Sequence, residues 1–182
     1  MTMRNFFRML QRLGLMFWVM APVAAFAATI EQFEGTYEGE AEFILEGETK
    51  RRDMSTSIEM TKKGFIISWT SVTYKGDGRT KTKSYSIPFS PSERDNIYKS
   101  TMRNNVFGKA TPLDPLQGEP FVWARLVGDT LSLFSLFIND VGEYEMQEFH
   151  RTLMDGDLGL VFRLVHNGTA EREIHTILKR VE

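Results

Sequence analysis

The residue types that do most protein chemistry are scarce or scattered in this 182-residue chain. It has no cysteine, and its three histidines, His150, His166 and His175, show no ligand-pair spacing. Without cysteine there is no thiolate metal ligand and no cysteine nucleophile. Ser84 and Ser86 stand outside any Gly-x-Ser-x-Gly elbow, and neither a phosphate loop nor a dinucleotide fingerprint occurs. The sequence therefore offers no catalytic residue, no metal site and no cofactor motif. What it offers is of the binding kind. Arg172 falls on the apolar parity of its segment, and a guanidinium turned into an apolar interior requires an acidic neighbour or an anionic ligand. Glu148 is the internal candidate, on the parity Tyr144-Met146-Glu148-His150 that reads as inward. His150 reads either as a haem or metal ligand or as a barrel histidine satisfied by its neighbours. With Trp69, Tyr85, Tyr144 and Phe162, these residues form a candidate ligand site. The aromatics would bury an apolar body, and Arg172 or the tyrosines would orient a polar head.

Strands must position those side chains. From Phe33 to Glu46 the chain alternates, with Phe33, Gly35, Tyr37, Gly39, Ala41, Phe43 and Leu45 on one parity. Glu34, Thr36, Glu38, Glu40, Glu42 and Glu46 hold the other, with Ile44 the exception. Successive side chains on a strand point to opposite faces, so this is one long strand with an apolar and an acidic face. Further alternating or β-rich segments follow at 51–60, 65–75, 79–89, 121–126, 130–138, 143–153, 158–165 and 169–181, separated by turn signals such as Gly76-Asp77-Gly78 and Asp155-Gly156-Asp157. No helical run is long enough to cross between parallel partners. The expectation is an all-β, antiparallel up-and-down barrel of about nine or ten strands. Its inward set includes Met54, Ile58, Phe65, Trp69, Tyr85, Phe89, Trp123, Leu133, Tyr144, Met146 and Phe162. Such a set suits an adaptable pocket or a filled core equally well.

The segment 90–120 breaks the pattern. Ser90-Pro91-Ser92-Glu93 has the features of a helix start, predicting a short helix over 91–99. Pro112, Pro115, Gly118 and Pro120 then exclude a central strand, leaving a long irregular connection that reads as a rim or lid or as an inert crossing. The last hairpin raises a question of parity. Leu158, Leu160, Phe162 and Leu164 share a face with Ile174, Thr176 and Leu178 only if the loop is odd in length. A three-residue loop, His166-Asn167-Gly168, meets this; it sets Arg163 opposite Glu171, puts Arg172 beside Phe162, and turns Arg172 and Arg180 inward.

Residues 1–27 carry Arg4, Arg8 and Arg12, an apolar stretch from Leu13 to Phe26, and Ala25-Phe26-Ala27 before Ala28. This is the pattern of a cleaved signal peptide, with an uncleaved anchor as the alternative, and it predicts a periplasmic or secreted single domain at 28–182. The leader holds three of the 22 basic residues and none of the 24 acidic ones, so its loss leaves 19 against 24 and moves the net charge from −2 to −5. That balance disfavours nucleic acid, and the basic run Lys75, Arg79, Lys81, Lys83 lacks the aromatic interleaving that single strands need. Charged outward faces argue against an outer-membrane barrel, and the mature chain has no spanning segment.

Gly35-Thr36-Tyr37 on the first strand and Arg180 on the last resemble the calycins, the superfamily of lipocalins and fatty-acid-binding proteins. Lipocalins carry Gly-x-Trp on the first strand and a basic residue on the last that stacks over the aromatic; Tyr37 stands here for the Trp. Gly128-Asp129-Thr130-Leu131 is similar to a strand start in fatty-acid-binding proteins, and 35–40 is similar to the opening of haem-binding nitrobindin-like barrels. The resemblance implies first-to-last strand pairing, a structural Tyr37–Arg180 contact, and an inward Arg that meets a ligand carboxylate. The functional expectation is an exported protein that binds a small hydrophobic or amphipathic ligand. The alternatives are a filled barrel that serves as a periplasmic protein-interaction module, and an enzyme of unknown reaction.

Overall fold

The computed structural model describes residues 28–45, 47–101, 103–104, 110–111 and 113–181. The expected leader and part of the 90–120 segment lie outside them. Twelve strands follow in chain order: β1 (Gly35–Leu45), β2 (Glu48–Thr61), β3 (Gly64–Tyr74), β4 (Thr80–Pro91), β5 (Ile97–Ser100), β6 (Arg103–Asn104), β7 (Ala110–Thr111), β8 (Phe121–Val127), β9 (Thr130–Ile138), β10 (Tyr144–Met154), β11 (Asp157–His166) and β12 (Thr169–Arg180). Ten of them close into a barrel in the order β1-β12-β11-β10-β9-β8-β5-β4-β3-β2, every pair antiparallel, while β6 and β7 form a separate two-stranded pair. The all-β up-and-down barrel read from alternation is the fold. Among the described residues, no helix is long and apolar enough to cross a membrane.

One end of the barrel is solid. Tyr37, Ile58, Phe65, Ile67, Leu131, Leu133, Leu158 and Leu178 are fully buried there, and a 3-10 turn at Ile30–Phe33 lays Phe33 across the base. The seam that closes the ring is β1 on β12, with Tyr37 opposite Arg180. The Tyr37 hydroxyl donates to the Phe33 carbonyl (3.1 Å) and accepts from Arg180 Nη2 (2.5 Å). Arg180 also donates from Nη1 to the Glu34 carbonyl (2.7 Å) and from Nε to the Gly156 carbonyl (3.1 Å), with its guanidinium 4.8 Å above the Tyr37 ring. One guanidinium thus ties β12 to β1 and to the turn ahead of β11. The contact expected from the first and last strands is present.

Three expectations are corrected. No helix forms at 91–99: β4 runs through Pro91, and after a turn the chain re-enters the barrel as β5. Pro91 is the last residue of its strand, where its missing N–H costs no ladder bond. The last hairpin uses a two-residue turn, Asn167-Gly168, both at positive φ (48° and 82°), with His166 opposite Thr169. Positive φ at both central residues is what a type I′ turn demands, and Asn-Gly supplies it. The parity problem is solved by a bulge between Leu164 and Val165 that skips Glu171 on β12. Arg172 therefore still faces inward, but opposite Leu164 rather than beside Phe162, and Arg163 meets Glu173 (Nε to Oε2, 2.7 Å) rather than Glu171.

The third correction concerns facing. On β10 the inward set is Glu145, Gln147, Phe149, Arg151 and Leu153, because Phe149 and Arg151 lie opposite the buried Leu133 and Leu131 of β9. Tyr144, Met146, Glu148 and His150 face outward. Both parities of β10 mix apolar with polar residues, so alternation within it could not choose; its neighbour does. On β8 the inward residues are the small Val122, Ala124 and Leu126, and Trp123 lies outside, stacked on Phe134 (5.0 Å between ring centroids, 14° between planes).

The seam is also tight. A Cβ on Gly39 would stand 2.6 Å from the Ile177 carbonyl oxygen and 2.9 Å from a Leu178 methyl carbon. Gly39→Ala should destabilise the protein by roughly 1–3 kcal/mol, because the obstructing atom is backbone. Tyr37→Phe should cost about 1–2 kcal/mol through the lost hydroxyl bonds. Urea denaturation of both variants measures these values, and an unchanged midpoint in either would contradict this account of the seam.

Candidate functional site

Above the solid end the barrel is hollow. A cavity of about 480 Å³ opens to solvent at the opposite end, within the size range of small-molecule sites. The opening follows from strand lengths. β5 is four residues long and pairs with β4 only at Phe89, Ser90 and Pro91, so among the described residues the rest of β4 has no strand partner on that side. Lys81, Lys83 and Tyr85, which have the same parity as buried Ile87 and Phe89, are therefore exposed.

The apolar wall consists of Met54, Trp69, Phe149, Leu160, Phe162 and Ile174. Trp69 stacks on Tyr85 (5.0 Å) and leans on Phe149 (5.3 Å), which touches Phe162 (4.9 Å). Into this wall the chain inserts cations. Seven basic residues line the cavity, Lys50, Arg52, Lys75, Lys81, Lys83, Arg151 and Arg172, against one acid, Glu145. Glu145 Oε1 already accepts from Gln147 Nε2 (2.6 Å), and Lys50 pairs with Glu48.

The three guanidinium groups form two levels. Near the mouth, Arg52 and Arg172 stand 4.6 Å and 5.5 Å from the centre of the Phe43 ring. Arg52 Nε donates to Thr73 Oγ1 (2.9 Å). Burial, and after it the positive charge of Arg172, hold the Arg52 pKa below its usual range. Among the described residues neither arginine has an ion pair. Deeper lies Arg151, 1% exposed, 5.9 Å from the Trp69 ring centre and 5.7 Å from that of Phe149. Its Nε and Nη1 are buried, with no hydrogen-bond partner among the described residues. Burial brings its pKa down to about 10, which leaves it charged at neutral pH. Aromatic faces attract a cation but do not accept its N–H bonds in the way an oxygen does.

Of the residues expected to form a site, Arg172, Trp69, Tyr85 and Phe162 line this cavity. Glu148, His150 and Tyr144 do not. His150 lies on the outer wall, its Nε2 3.0 Å from Glu148 and its Nδ1 2.8 Å from Ser132 Oγ, edge-on to Phe134. It is thus satisfied by its neighbours. Tyr144 packs outside by the Asn167-Gly168 turn. Among the described residues, no group of three or more His, Cys, Asp or Glu could hold a metal ion. Arg52 and Arg151 are the functional candidates that the residue pattern passed over. Arg52 shares the alternation of Met54, Thr56 and Ile58, so its facing could be read; Arg151 required the register of β9.

Chemically, the arrangement is an apolar slot with uncompensated positive charge at its mouth and at its floor. Such a site can hold an anion that brings its own apolar surface. Compared with known proteins, the chain matches no family model and no curated sequence.

The cost of keeping Arg151 charged and partly unbonded falls on the empty barrel. Replacing a buried charge by an apolar side chain of similar length removes that desolvation penalty. Arg151→Met should therefore stabilise the ligand-free protein, by about 1–3 kcal/mol, read as a higher urea midpoint at neutral pH. Destabilisation of similar size would show that the guanidinium is well satisfied inside the empty barrel.

Proposed function

We propose that the protein is an exported binding protein that holds a small amphipathic anion inside its barrel. The carrying observation is the charge pattern of the cavity: seven cations and one acid around an apolar wall, in a chain whose overall net charge is negative. Of the seven, Arg151 is buried and Arg52 and Arg172 are half-buried with no ion pair among the described residues, and cations so placed cost free energy unless an anion offsets them. The ligand's apolar body lies against Met54, Trp69, Phe149, Phe162 and Ile174. Its head lies between Arg52 and Arg172, where fork-shaped donors suit a carboxylate or phosphate. The hollow upper half supports a ligand carrier over a filled interaction module. The export expected from residues 1–27 supports a periplasmic or extracellular setting. At the level of architecture, a closed ten-stranded antiparallel barrel is compatible with the calycin likeness.

The expected outcome of titrating the purified protein with dodecanoate is saturable one-to-one binding, read by calorimetry and by a change in Trp69 fluorescence. The double variant Arg52→Gln, Arg172→Gln should bind dodecanoate about tenfold or more weakly, yet bind dodecanol as well as the wild type does. Equal loss for the acid and the alcohol would overturn this reading.

A further inference from the structure

The mouth and the floor of the cavity are too far apart for one head group to serve both. Arg172 lies opposite Leu164, and Leu164 opposite Gln147; Arg151 is four residues beyond Gln147 on β10. Four residues of strand are about 13 Å. The facing wall repeats the spacing. Arg52 is bonded to Thr73, and Arg151 lies over Trp69, which is four residues back along β3. Between the two levels runs a band of Met54, Phe149, Phe162 and Ile174.

Consider what a ligand with one polar end would do here. With its head at the mouth, its alkyl tail would end against a buried guanidinium with two nitrogens that have no partner among the described residues. A hydrocarbon end offers those donors no acceptor. With its head at the floor, it would leave Arg52 and Arg172 side by side over Phe43 with no counter-charge. Either placement satisfies one level and worsens the other. A ligand with oxygen acceptors at both ends satisfies both, and its middle matches the band.

We propose that the barrel is built for an elongated amphiphile with an anionic group at each end, one held by Arg52 and Arg172 at the mouth and one by Arg151 at the floor. This rests on the reading of the cavity as an anion-binding slot and adds a second subsite to it. Carboxylates and phosphate or sulfate esters share the required chemistry: two or more anionic oxygens that accept from the donors of a guanidinium. Arg151 is then a binding residue, and the anion supplies the acceptors for its buried donors.

Calorimetric titration with dodecanedioate and dodecanoate, which differ only in the second carboxylate, tests this directly. The wild type is expected to bind the diacid at least about tenfold more tightly than the monoacid, the difference of one charge-assisted contact. In Arg151→Met that preference should collapse to about threefold or less, with the monoacid bound at least as well as by the wild type. Binding of dodecanoate by the wild type as tight as, or tighter than, that of dodecanedioate overturns the second subsite and leaves the single-head reading standing. A preference for the diacid that survives in a folded Arg151→Met overturns the assignment to Arg151. Failure of both acids to bind overturns the anion slot itself. The wild-type comparison needs no variant to fold.

Discussion

Closure of β1 on β12 is the constraint from which the rest follows. In an open sheet a strand residue can face a partner, a neighbouring molecule or water, but in a closed barrel every residue points either in or out. The Arg180 guanidinium, held by Tyr37, Glu34 and Gly156, joins the two ends of the sheet. Once that seam is made, the period of two along each strand sorts the whole chain. The glutamates at 38, 40 and 42 fall outside, and Arg52, Arg151 and Arg172 fall inside. A chain with near-balanced charge thereby becomes a molecule with a negative wall and a positive interior.

The interior itself is built in two qualities. Below, Phe33, Tyr37, Phe65, Leu131 and Leu158 fill the barrel as a close-packed core and supply its stability. Above, β5 stops after four residues, and among the described residues no strand continues the wall next to β4. Packing is given up there, and polar residues take the inward positions. Stability and binding are thus placed at opposite ends of the same strands. That division lets Arg151 sit on the boundary, between the packed core below and Trp69 and Phe149 of the slot wall above.

Much of this was legible in the residues, and what was not has definite causes. The strand at Phe33 to Glu46 declared its two faces because its polar set is almost all glutamate. The pairing of first and last strands and the Tyr37–Arg180 contact were implied by the resemblance to the calycins that Gly35-Thr36-Tyr37 and Arg180 carry. On β10, by contrast, the parity holding Arg151 looked no more apolar than the one holding His150 and Met146, and only the register against Leu131 and Leu133 decides. The inward face of Arg172 was readable although the loop was not, since a bulge and an odd loop have the same effect on parity. The helix start at Ser90-Pro91 was local chemistry overruled by sheet pairing: Phe89, Ser90 and Pro91 find partners in β5. The hollow was not legible at all, because it arises from the length at which β5 ends.

The seam also has a history within each folding event. Tyr37 and Arg180 are 143 residues apart, so their contact is among the last that the chain can make, and closing so large a loop is slow. Until then β1, eleven residues long, is bonded only to β2 and presents an open ladder to any other strand it meets. Its row of glutamates lies along that waiting edge. Like charges stacked in register between two such chains would repel, and natural sheets use charge in this way to keep bare edges apart. The acidic wall that faces solvent in the finished barrel thus serves first as a guard on the unfinished one.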